Sequence, residues 1–340
     1  MPGETTRVKR AGPSGSFEGV RTAAVDGTAL AYREQGEGEA VVFVHGSASD
    51  LRTWEQQLPA IGTRYRAIAY SRRYARPNED IEPGADDQML PHVDDLAALL
   101  RVTGAAPAHL VGHSWGAFIC LLAAIRHPET VRSLVLLEPP VVSLFVSTPP
   151  ALGEIFPLLA RWPRTALAIL GFGAGTIAPA QRAFRRGDDD QALQAFAHGV
   201  LGKETYERLP EERKQQAREN LGALRAQLLG AGFPPLDEED VRGIGVPTLL
   251  MTGQRSPAFL LRLTEHLQRL LPHAERVDIA GASHAMQEEN PGAVNEAILG
   301  FHARDAGDPS VFGPHGVELD PVHEGVLVDR PRVRGAVASS

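Results

Sequence analysis

The chain has 340 residues, 43% of them hydrophobic, a formal net charge of −8 and a single cysteine, Cys120. That length suits one large α/β domain with an insertion, or two domains, and the apolar share is ample for a packed core. The acidic balance argues against a nucleic-acid partner, one cysteine leaves no disulfide framework, and no apolar run is long enough to span a membrane. Met1 to Gly15 is polar and rich in Gly, Pro and charge, without the apolar centre of a signal peptide. A disordered N-terminus over residues 1–17 and a cytoplasmic location are expected.

Val20–Val25 and Thr28–Tyr32 are strand-like and flank Asp26-Gly27, a hairpin signal. Ala40–Val44 is a continuous apolar run, hence a central strand, followed at once by His45-Gly46-Ser47. Leu51–Leu58 reads as a helix, Arg66–Tyr70 as a strand and Pro91–Arg101 as an amphipathic helix. Ala108–Val111 is a further buried strand. It runs into Gly112-His113-Ser114-Trp115-Gly116 and then into Ala117–Ile125, apolar on nearly every side. Val131–Leu137 is the next strand and closes in Glu138-Pro139-Pro140. Strand and helix thus alternate, the pattern of a parallel sheet covered on both faces.

Residues 141–240 break that alternation. They are helical in pattern, proline-rich and without a clear strand, and read as a cap inserted over the sheet. Within them Pro210-Glu211-Glu212 predicts a helix start with proline at the first position, a stripe of Ala217, Leu221, Leu224 and Leu228, and a stop at Gly230. The sheet resumes at Pro247–Gly253, a helix follows from Ala258 to Leu271, and Arg276–Ile279 is the last strand before Gly281-Ala282-Ser283-His284. Asn290-Pro291 opens the final helix. The expected organisation is therefore a core of 18–140 and 241–302, a cap of 141–240 and a flexible tail of 303–340.

Gly-x-Ser-x-Gly between a strand and a helix is a nucleophile elbow, which lifts the Ser114 hydroxyl out of the sheet. A serine needs a base and the base needs an orienting carboxylate. His284, on the small-residue loop after the last strand, suits the first role. For the second, the place after the next-to-last strand reads Gly253-Gln254-Arg255-Ser256, and Ser256 cannot ionise. Glu138, at the C-terminal end of the preceding strand, is then the best-placed acid. Backbone N–H groups of Ser47 and Trp115 are the expected oxyanion donors.

These motifs together resemble the α/β-hydrolase superfamily over about residues 18–302. The resemblance implies a doubly wound, mostly parallel eight-stranded sheet with an inserted helical cap. The Ser71-Arg72-Arg73-Tyr74-x-x-Pro77-Asn78 loop, Glu138-Pro139, the Gly253-x-x-Ser256-Pro257 turn and Gly281-Ala-Ser-His284 look like a bacterial subgroup of serine hydrolases with the acid after the sixth strand. The usual Asp-x-x-Gly-x-Gly turn after the fourth strand is replaced by Ser71-Arg72-Arg73-Tyr74, which leaves the pocket floor open. Dehalogenases and epoxide hydrolases of this fold use Asp as nucleophile, where Ser114 stands in this chain.

The leading expectation is a cofactor-free serine hydrolase acting on an ester or lactone of an apolar, medium-sized small molecule. Cleavage of a diketone carbon–carbon bond, acyl transfer or cyclisation, and a non-catalytic ligand receptor are the rivals. Arg72, Arg73, Tyr74 and Asn220 are weaker candidates for substrate contact. A solvated loop accounts equally for the first three, and a solvated or capped core asparagine accounts better for the last. His113 is expected to pack against the sheet. No metal spacing is present, Gly171–Gly175 follows no strand and so is no dinucleotide loop, and a homodimer stays open.

Overall fold

The computed structural model describes residues 17–271 and 273–305. The expectations for 1–16 and 306–340 concern residues outside that range, and the last helix runs to Asp305, past the expected boundary at 302.

The first hairpin is β1 (Arg21–Val25) and β2 (Thr28–Gln35), turned by Asp26-Gly27, both at positive φ. Then come β3 (Ala40–Val44), a 3₁₀ turn at Leu51–Trp54, α1 (Gln57–Ile61), β4 (Arg66–Tyr70), α2 (Met89–Val102), β5 (Ala108–His113), α3 (Trp115–Arg126) and β6 (Val131–Leu137). Between β6 and the next strand the described chain holds only helical elements. These are a 3₁₀ turn at Val142–Leu144, α4 (Leu152–Arg161), α5 (Pro163–Phe172), a π turn, α6 (Ala178–Arg185), α7 (Asp189–Leu201), α8 (Lys203–Arg208), α9 (Glu211–Glu219), α10 (Leu221–Leu229) and α11 (Glu238–Arg242). The core then resumes with β7 (Thr248–Gly253), α12 (Ala258–Leu270), β8 (Glu275–Ile279), α13 (Met286–Glu289) and α14 (Pro291–Asp305).

The eight strands form one sheet in the order β1-β2-β4-β3-β5-β6-β7-β8. β2 runs antiparallel to β1 and β4, and all other pairs are parallel. Alternation along β3 shows why the sheet is covered twice. Val42 and Val44 pack with α2, α3 and α12 residues, whereas Val41 and Phe43 face Trp54, Ile61 and the Val294–Phe301 face of α14. Each such buried side chain contributes on the order of 1.5–3 kcal/mol through apolar burial. The register levels the carboxyl ends of the central strands, with Val44 beside Gly112, His113 beside Leu137 and Leu137 beside Met251. The loops leaving β3, β5, β6 and β7 therefore meet at one edge, where sites of open α/β sheets form.

Two expected helices are broken. Leu51–Leu58 is a 3₁₀ turn followed by α1, because Pro59 has no N–H to bond Glu55 and a continuous helix would lack that link. The stripe expected from Glu211 to Gly230 is divided at Asn220 into α9 and α10, and Pro210 precedes the first helical turn as its cap. Asn220 turns back to Gln216 O and outward to Asp50, which takes its backbone out of helical geometry at φ −112°, ψ 21°. The cap has a small core of its own, in which Phe184, Leu193 and Leu224 enclose Ala48 of the loop after β3.

Candidate active site

Ser114 stands between β5 and α3 at φ 52°, ψ −121°, a strained turn for a non-glycine residue. Its N–H donates to Leu137 O at 2.8 Å, which ties the elbow to β6. Glycine on both sides is a packing requirement. A Cβ on Gly112 would lie 2.5 Å from the Ala117 Cα, and one on Gly116 2.3 Å from Val44 O. The side chain lies above the N-terminus of α3, whose unpaired N–H groups favour negative charge.

Glu138 leaves β6 at φ 49° and is fully buried. One carboxylate oxygen, Oε1, accepts the Gly253 N–H at 2.8 Å, and the other, Oε2, meets His284 Nδ1 at 2.6 Å. An ionised carboxylate only accepts, so Nδ1 carries the proton and the Nε2 lone pair of a neutral His284 is free. Ser256, at the more usual acid position, is buried with its hydroxyl unpartnered. Ser114 and His284 line one cavity together with Ser47, His113 and apolar cap side chains that include Leu193, Phe196 and Leu209. The free space is about 60 Å³. A wider recess of about 280 Å³ outside it shares Leu209, Arg213 and Glu288.

His113 departs from its expected place. It lines the cavity, donates Nε2–H to the backbone carbonyl of His284 at 2.8 Å and lies with its ring 4.5 Å from the His284 ring. Burial holds it well below the ordinary imidazole range, so it stays neutral beside any imidazolium at His284.

The loop after β3 is held from below by Arg72, a residue whose role the sequence left open. Its guanidinium donates to His45 O and Gly46 O, both at 2.9 Å, and stacks 4.4 Å above the Trp115 ring. Its N–H donates to His45 Nε2 at 2.9 Å. Burial lowers Arg72 to about 10, while Asp87 acts in the opposite sense, so it remains a cation at neutral pH. It forms the floor under the loop where the usual glycine turn is missing. The nearest sequence signal was an arginine two residues after a buried strand, which fits a substrate contact or a solvated loop as well as a strut.

Neither Arg72 nor the other three weaker candidates line the cavity. Arg73 is engaged by Asp95 at 2.8 and 2.6 Å. Tyr74 packs edge-on near His92. Asn220, 2% exposed, donates to Asp50 and Gln216 O and accepts the Arg76 N–H. Of the readings left open for it, the core asparagine is the one its surroundings favour.

A sequence model of the alpha/beta hydrolase fold family matches residues 39–291, and the chain belongs to that family. It is 30% identical over 316 residues to Epoxide hydrolase A of Mycobacterium tuberculosis, spanning 81% of this chain and 94% of that protein. Among solved structures it is similar to a thermophilic esterase from Thermogutta terrifontis, with a TM-score of 0.64 and 23% identity over 83% of this chain and 96% of that one. It is also similar to the enol-lactonase from Burkholderia xenovorans LB400, with a TM-score of 0.60 and 20% identity over 83% and 99% of the two chains. The latter two carry the fold, and family membership makes hydrolysis the reaction class of the chain. No helix among the described residues is long and apolar enough to cross a membrane.

Proposed function

We propose that the protein is a serine hydrolase that opens an ester or lactone through an acyl-enzyme on Ser114. The observation that carries this reading is the buried 2.6 Å contact between Glu138 Oε2 and His284 Nδ1, at the cavity that also holds Ser114. His284 Nε2 takes the Ser114 proton as Oγ attacks the carbonyl carbon. It then returns that proton to the leaving oxygen as the C–O bond breaks. Glu138 orients the ring and stabilises the imidazolium. Ser47 and Trp115 N–H groups hold the oxyanion. Water deprotonated by His284 adds to the acyl carbon, frees the carboxylic acid and restores Ser114.

The size of the cavity bears on the substrate. Pockets for drug-sized ligands run to roughly 300–1,000 Å³, whereas the free space at Ser114 is about 60 Å³. A short acyl group fits the cap as it lies, and a medium-sized apolar one requires α7 and α8 to shift. An epoxide substrate, as named for the Mycobacterium tuberculosis relative, is disfavoured because that chemistry in this fold starts from an Asp nucleophile and Ser114 occupies the elbow.

The test is covalent. A fluorophosphonate should label the wild type at Ser114 rapidly and should not label Ser114→Ala, which keeps its circular dichroism. Rapid labelling that persists in the alanine variant rejects the assignment. A panel of esters and lactones of graded acyl length then reads the substrate.

A further inference from the structure

The loop that carries Ser47 is gripped from two sides. Arg72 of the core holds His45 O and Gly46 O. The next two residues are held by the cap: Ser47 Oγ donates to Gln227 Oε1 of α10 at 2.6 Å, and Arg213 Nη1 of α9 donates to Ala48 O at 3.3 Å. Ala48 itself sits at φ 49°, so the loop is strained where the cap takes hold.

Gln227 does not end the chain of contacts. Its Nε2 donates to Asp87 Oδ2 at 2.8 Å, and Asp87 Oδ1 accepts from His92 Nε2 at 2.6 Å. Asp87 and His92 are 3% and 1% exposed. His92 Nδ1 is buried without a partner, and burial lowers the basicity of the ring, so His92 is a neutral donor. The His92 ring then stands edge-on against Trp115, with centroids 4.9 Å apart at 89°. The two residues expected to supply the oxyanion donors, Ser47 and Trp115, are thus the two ends of one chain of contacts: Ser47, Gln227, Asp87, His92, Trp115. Its direction is fixed at the middle. An Asp87 carboxylate accepts only, so the Gln227 amide nitrogen must face it and the amide oxygen must face Ser47. Ser47 must then donate its hydroxyl proton to the cap, which leaves its backbone N–H as the group free to meet an oxyanion.

We infer that Gln227, through Asp87 and His92, is a positioning residue by which the seated cap sets the oxyanion donors. The oxyanion site is complete only when α10 is docked against the loop after β3. This rests on the reading of Ser47 and Trp115 given above.

Losing an oxyanion donor outright costs about 10²–10³ in turnover. Loosening one by removing its anchor should cost less, about 10- to 100-fold. The experiment measures single-turnover acylation and the fluorophosphonate labelling rate for Gln227→Leu, Ser47→Ala and the double variant. Both single variants should acylate about 10- to 100-fold more slowly with little change in KM. The double should be no slower than the slower single, because both remove the same link. A wild-type labelling rate in Gln227→Leu, or a double variant whose loss is the product of the singles, overturns the inference. Should Gln227→Leu lose its cooperative melt, Gln227→Met serves in its place. It keeps the length, neither accepts strongly from Ser47 nor donates to Asp87, and must show the same loss. Labelling that survives Ser114→Ala would instead reject the acyl-enzyme reading itself.

Discussion

Ala48, Ser114 and Glu138 adopt left-handed backbone at φ 49°, 52° and 49°, each at a cost of about 1–3 kcal/mol for a residue with a side chain. All three lie at loops leaving the carboxyl edge of the sheet, where the surrounding contacts hold them. For Glu138 the turn directs the carboxylate across to Gly253 N and His284. Glu138→Gln retains the shape and removes the charge that would stabilise imidazolium. Single-turnover acylation should fall by about two to four powers of ten, against about four for the matching change in a comparable triad, because water or another carboxylate can partly replace a displaced acid. Acylation at the wild-type rate would mean that another group holds His284. Ser256→Asp in that background should restore part of the rate. The positions of Ser114, His284 and Glu138 as candidates at one sheet edge were legible, because their offsets from strand ends are local. Arg72, His113 and Gln227 were not, because each acts through a carbonyl or hydroxyl brought near by the fold, and a lone Arg, His or Gln has no spacing signal. For Gln227 and Ser47 the separation is 180 residues.

The cap is the element whose internal breaks the sequence hid. A continuous apolar stripe across α9 and α10 satisfied helical periodicity, yet Asn220 interrupts it to bond outside the helix. Tertiary partners outweigh propensity at such a position. Asp50 is the anchor: fully buried, it accepts from Arg52, Gln216 and Asn220. Asn220→Ala leaves the Arg76 N–H and one Asp50 lone pair unmatched, although Arg52 still neutralises the carboxylate. The expected loss is about 1–3 kcal/mol of unfolding free energy, read from urea transitions. A change within about 0.5 kcal/mol would show that the cap is seated by its apolar contacts alone. The core elements were easier to read, since buried parallel strands such as β3 and β5 are short continuous apolar runs bounded by turn residues.

Across the whole molecule, the buried histidines tie stability to acidity. His302 on α14 is the clearest case, because it lies far along the chain from the cap and the proposed reaction does not use it. Both of its ring nitrogens are buried without a partner. Its ring packs 4.2 Å from His109 and 5.5 Å from Tyr65, and the facing His109 in turn meets Ser133 and Glu39. Burial, with the neighbouring His109 adding to it, lowers His302 from 6.5 to about 3. The folded state therefore binds fewer protons than the unfolded chain between these values, and stability rises with pH across that window. Stability is complete above about pH 6.5 and falls with acidification at up to about 1.4 kcal/mol per pH unit until the folded ring titrates. A phenylalanine keeps an aromatic ring at the position and cannot take up a proton. His302→Phe should gain on the wild type by about 2 kcal/mol between pH 7 and pH 5, since other buried histidines cancel in the difference. Urea unfolding of both proteins at pH 7, 6 and 5 measures this, and a stability difference that does not change with pH would show that His302 keeps ordinary access to protons in the fold.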